Sequence, residues 1–133
     1  MTFNRAVAGF YLTALLAFAG GLRADSTASP EALEFFERKV RPLLAGSCYK
    51  CHGQKKQKGK LRLDRHEAIL SGGDSGPAVV PGKPQESLLV RAVKYQDPEL
   101  KMPPKQRLSA DQVSILMRWI ELGAPWPKEE TGG

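Results

Sequence analysis

The run Cys48-Tyr49-Lys50-Cys51-His52 constrains this chain more than any other stretch. Two cysteines three positions apart, with a histidine directly after the second, form the attachment spacing for a c-type haem. Each thiol can add across one of the two haem vinyl groups, and the double tether leaves the His52 imidazole facing the iron as its proximal ligand. The chain holds two cysteines and two histidines in all, the second histidine being His66. A Cys-x-x-Cys pair also reads as a redox-active dithiol, or as half of a zinc site. A structural zinc takes four ligands, and His52 does not easily close on the same metal as both neighbouring thiolates, which leaves only His66 as a further candidate of that type. A thioredoxin-like pair opens a helix after a strand, whereas the residues before Cys48 read as helix themselves. A simple disulfide is the plain alternative for an exported chain.

Export is the second reading. Residues 1–24 differ from the rest: Arg5 supplies a positive flank, residues 6–22 are apolar or small, and Leu22-Arg23-Ala24 offers a cleavage site before Asp25. This is the pattern of a secretory signal peptide. An uncleaved membrane anchor is the alternative, since the apolar run approaches spanning length. Haem c is attached outside the bacterial cytoplasm, so the leader and the Cys-x-x-Cys-His run support one another and place the protein in the periplasm or another extracytoplasmic compartment. Membrane contact is expected only if the leader is retained. The rest divides into a polar leader over 25–29, one domain over 30–127 and a polar tail over 128–133.

The formal charge of +6 falls to +4 once Arg5 and Arg23 leave with the leader. Much of what remains stands just after the cysteine motif, at Lys55, Lys56, Lys58, Lys60 and Arg62. A basic rim there would steer an acidic protein electron donor or acceptor. A solvated loop without a partner accounts for the run equally well. Nucleic-acid binding is not expected, because no aromatic residues interleave the basic run.

The periodicity predicts a mostly α protein. Ser29-Pro30-Glu31 is a helix start, with Ser as N-cap and Pro at the first helical position. Leu33, Phe36, Val40, Leu43 and Leu44 then form one apolar stripe, with Phe35 and Phe36 read as core. Pro42 is expected to bend or end the regular helix, and Gly46 to release the chain into the motif. Residues 53–60 read as a loop, and Leu61-Arg62-Leu63 alternates like a very short strand. Asp64 and Glu67 have capping-box spacing, predicting a short helix over 65–71 ended at Gly72. His66 in its first turn reads as solvent-exposed, although it competes in principle for the iron. Residues 72–84 are turn-rich, and Leu88, Leu89, Ala92 and Val93 mark a short helix starting near Pro84. Ser109 and Gln112 form a capping box for a last helix running to Leu122 and stopped at Gly123.

Lys101-Met102-Pro103-Pro104 is the candidate for the other face of the iron. A haem with a proximal histidine commonly takes a methionine sulfur there for electron transfer. Met102 lies fifty residues after His52, and Pro103 and Pro104 stiffen its loop and push Met102 toward an extended backbone. Met117 falls on a helical stripe with Val113, Leu116 and Ile120 and reads as core. Trp119 and Trp126 are large enough to cover a haem or to close the core. Arg62 is a propionate candidate by position alone.

The stretches FFERKVRPLLAGSCYKCHG, LRLD, GGDSGPAVVPGKPQESLL, KMPPK and WIELGAPWP, taken in that order, resemble the planctomycete-type cytochrome c domain, within class I cytochrome c. The resemblance spans residues 30–127. It implies first and last helices that cross, with short helices and loops wrapping one covalent haem c held by Cys48, Cys51, His52 and Met102. Such domains often head much larger exported proteins, and no fused catalytic partner is expected here. The resulting expectation is an electron carrier, not an enzyme. The alternatives are an open-site haem enzyme or sensor, if Met102 is off the iron, and a Cys-x-x-Cys thiol-disulfide oxidoreductase.

Overall fold

A computed structural model describes residues 27–128; the secretory segment read over 1–24 and most of the polar tail lie outside the described residues. Within them the chain is mostly helical with no strand, and only isolated bridges such as His52 with Gln57 occur. Five α-helices follow in order: α1 (Pro30–Phe35), α2 (Arg41–Ser47), α3 (His66–Ser71), α4 (Leu88–Val93) and α5 (Ala110–Glu121).

α1 starts as its residues dictate. The Ser29 side chain accepts the Ala32 N–H, Pro30 stands in the first turn, and Glu31 adds a negative charge near the helix N-terminus. Of the two outcomes expected at Pro42, a bend or an end, the helix does not end there, although its regular α geometry is interrupted just before it. Residues Phe36–Val40 widen into a π-helical segment in which the Arg41 N–H reaches the Phe36 carbonyl, five residues back. A proline has no N–H and its ring crowds the carbonyl four residues earlier. Widening the register just before Pro42 lets the helix run on through α2 to Ser47. Phe36 and Val40 on this segment are fully buried and pack on α5, where Leu116, Trp119 and Ile120 are also fully buried. Burying side chains of this size stabilises by about 1.5–3 kcal/mol each.

α5 has the predicted capping box: Ser109 Oγ accepts the Gln112 N–H, and Gln112 Oε1 accepts the Ser109 N–H. At its other end Gly123 takes a φ of 93° and Ala124 donates back to the Trp119 carbonyl at 3.0 Å. The Trp119 indole N–H donates to Pro125 O at 2.8 Å. This reversal brings Trp126 onto Phe36, ring centroids 4.4 Å apart.

Three local expectations fail for identifiable reasons. Leu61-Arg62-Leu63 forms no strand, because no neighbouring segment offers it a ladder; Leu63 N–H instead bonds His52 O at 2.8 Å. Asp64 does not cap α3, whose N-cap is Arg65 without a side-chain bond. Both Asp64 oxygens are taken by Arg62, at 2.9 and 2.8 Å. α4 begins at Leu88, not near Pro84. Pro84–Glu86 is a separate 3-10 turn, and Ser87 breaks the run with extended backbone. Its buried hydroxyl accepts the Val80 N–H at 3.0 Å and donates to Lys83 O at 2.9 Å, which ties the preceding turn to the start of α4.

Candidate functional site

The cysteine motif follows directly from the end of α2. Cys48 N–H donates to Leu44 O at 2.8 Å, and the Cys51 and His52 N–H groups both turn back to Cys48 O, at 3.2 and 2.9 Å. This tight turn puts Cys48, Cys51 and His52 on the wall of one cavity of about 420 Å³. Gly53 makes the turn possible: a Cβ there would lie 2.4 Å from the Tyr49 carbonyl oxygen, too close for any other residue. The Cys51 and His52 carbonyls are bonded in turn by the N–H groups of Lys58 and Leu63. The motif's backbone is therefore held at both ends.

The same cavity is bordered by α4 through Leu88, Leu89, Ala92 and Val93, and by Met102 and Pro103. Met102 N–H donates to Ala92 O at 3.1 Å, tying the loop to the end of α4. The Met102–Pro103 peptide is cis. Thus the four candidate residues, separated by up to fifty-four positions, share one enclosure whose remaining walls are mostly leucine, alanine, valine, glycine and proline.

These residues fit a haem. The walls suit an apolar macrocycle, the two thiols suit its vinyl groups, and an imidazole and a thioether suit iron. His52 Nδ1 is buried with no hydrogen-bond partner, so the protein does not hold the ring by a bond at that nitrogen. Burial pushes the Cys48 thiol up to about 11. A dithiol catalyst works through a thiolate with a lowered value, so this burial runs against thiol exchange chemistry. Among the described residues no group of three or more His, Cys, Asp or Glu side chains could hold a bare metal ion, so the zinc alternative lacks a ligand set.

Other sequence candidates lie elsewhere. Met117 is half-buried against the core, as expected from its stripe. Trp119 and Trp126 border the aromatic core with Phe36, not the cavity. His66 is not solvent-exposed: it is half-buried and stacked on Trp126, centroids 5.7 Å apart and planes 15° apart. It does not border the cavity. Arg62 does not border it either, since the apposed Asp64 holds its guanidinium in a paired geometry. That guanidinium keeps the Asp64 carboxyl below its ordinary value. Lys55, Lys56, Lys58 and Lys60 are all exposed; Lys58 borders the cavity, and Lys60 stands 3.4 Å from Asp74.

Sequence reasoning missed the glycines that bring the walls together. A Cβ on Gly73 would come within 2.2 Å of the Gly59 carbonyl oxygen, where two loops bordering the cavity cross. The run Gly72-Gly73 was the available signal, although a glycine pair more often marks a simple turn.

No curated protein and no solved structure matches the chain. A protein-family model described as Planctomycete cytochrome C does match, from the first cysteine of the motif to just past the methionine loop. The matched segment is residues 48–106, and over it this chain is similar to the planctomycete cytochrome C family.

Proposed function

We propose that the protein is an exported, mono-haem c-type cytochrome that carries single electrons between protein partners. The observation that carries this reading is the convergence of Cys48, Cys51, His52 and Met102 on one apolar cavity, within a segment that matches the Planctomycete cytochrome C family model. When bound, the haem iron supplies the one-electron couple. The chain's own residues do the rest. Cys48 and Cys51 would hold the haem through thioether bonds, and His52 and Met102 would be the ligands to its iron. Leu63, Leu89 and Val93, all buried, supply apolar wall to the cavity. The backbone hydrogen bonds that anchor the motif and the Met102 segment would limit movement of the residues that hold the haem.

The leader over residues 1–24 supports export. Among the described residues no helix is long and apolar enough to cross a membrane. Lys58 borders the cavity and Lys55, Lys56 and Lys60 are exposed near it in sequence, a basic set suited to an acidic redox partner.

The test is expression of the full chain in a bacterium carrying haem c maturation machinery, followed by spectra of native and denatured protein. Haem that survives denaturation and acid extraction, with a native iron–methionine band lost in Met102→Ala, is the expected result. Covalent haem without that band points to the open-site enzyme or sensor. Absence of covalent haem, where a control cytochrome matures, overturns the reading.

A further inference from the structure

Met102 stands in a segment without regular structure, so its position depends on what ties that segment down. One tie is its own N–H bond to Ala92. The other comes from outside the cavity. Tyr95, just past the end of α4, donates its hydroxyl to the carbonyl of Pro103, the residue after Met102. Tyr95 has a φ of 59°, a left-handed backbone that residues other than glycine adopt uncommonly. Its ring is braced in turn by Arg107, whose guanidinium lies 5.6 Å from the ring centroid and donates to Lys94 O at 3.3 Å. Arg107, Tyr95 and Pro103 thus form a chain of contacts that ends on the carbonyl of the residue after Met102.

We propose that Tyr95 is a positioning residue for Met102, setting how firmly its sulfur is presented across the cavity, with Arg107 as the support for the tyrosine ring. This rests on the His52/Met102 reading above. Tyr95 does not border the cavity itself, so its influence runs through the loop. A hydrogen bond of this kind shifts a local equilibrium roughly two- to tenfold. Loosening the loop leaves the sixth position open for a larger fraction of the time, and an added ligand then binds with proportionally higher apparent affinity.

The experiment is an imidazole titration of the ferric holoprotein, followed by its absorption spectrum. Tyr95→Phe is expected to tighten imidazole binding roughly two- to tenfold. Arg107→Leu, which keeps the hydroxyl, is expected to shift it the same way by less. In a Met102→Ala background Tyr95→Phe is expected to change nothing, because there is no sulfur left to displace. Unchanged affinity for both variants, or an equal shift with and without Met102, overturns the proposal. If Met102→Ala alone leaves imidazole affinity at the wild-type value, Met102 is not a ligand. That outcome overturns the His/Met reading as well, and the single variant identifies it.

Discussion

The two histidines of this chain present the same chemical peculiarity in different surroundings. His52 Nδ1 and His66 Nε2 are each buried without a hydrogen-bond partner. His52 borders an apolar cavity together with two thiols and a thioether. His66 lies flat against Trp126, whose ring also carries the Arg41 guanidinium at 5.3 Å. The first neighbourhood has open volume and soft donors for a metal-bearing macrocycle; the second is filled by aromatic packing and has a cation nearby. An orphaned imidazole nitrogen therefore does not make a ligand site by itself. What decides is whether the fold leaves room and companion donors beside it.

Several substitutions can break or sharpen that contrast. His52→Ala is expected to abolish native-like haem ligation, whereas His66→Ala is expected to leave the visible spectrum unchanged; pyridine haemochrome assay and native spectra read both. A spectral change in His66→Ala would remove the distinction between the two sites. Trp119→Ala attacks the aromatic neighbourhood alone. It removes a fully buried ring and its bond to Pro125, so a loss of about 3–5 kcal/mol is expected in denaturant unfolding, with the cavity ligands untouched in the protein that remains folded. Ser109→Ala removes one hydroxyl cap from α5, the helix on which Trp119 stands, at a cost of about 1 kcal/mol in the same assay.

The smallest effect concerns Asp64, in the segment between the two histidines. Arg62 lowers its folded-state value, so its contribution to stability is present above the unfolded carboxylate value of about 3.9 and is lost as pH falls through the folded value. Asp64→Asn is expected to cost about 1 kcal/mol or less at neutral pH and to flatten the acid limb of the stability profile. Thermal melts across pH 2–7 check the sign.

The local grammar of the chain was legible where one residue type dictates one geometry. Ser29-Pro30 and Ser109/Gln112 cap helices because their side chains reach the free N–H groups without competition. Asp64 shows the limit of that grammar. Its spacing to Glu67 matched a capping box, but Arg62, two residues away, offers a bidentate charged partner that outcompetes a backbone N–H. Pro42 shows another limit, since a π-helical widening absorbs the missing donor and the helix continues. His66 was misplaced because its helix showed charged neighbours in sequence, while the ring that covers it, Trp126, arrives from sixty residues away.

By itself the sequence determined the attachment motif, the candidate sulfur at Met102, the capped starts of α1 and α5 and the family resemblance, since each depends on residue identity at short spacing. Only the tertiary structure decided which residues share an enclosure. It assigned both tryptophans to the core, separated His66 and Arg62 from the cavity, and set Tyr95 against the loop that bears Met102. The reason is physical: burial and apposition come from side chains far apart in the chain competing for the same space, and no local pattern records who wins.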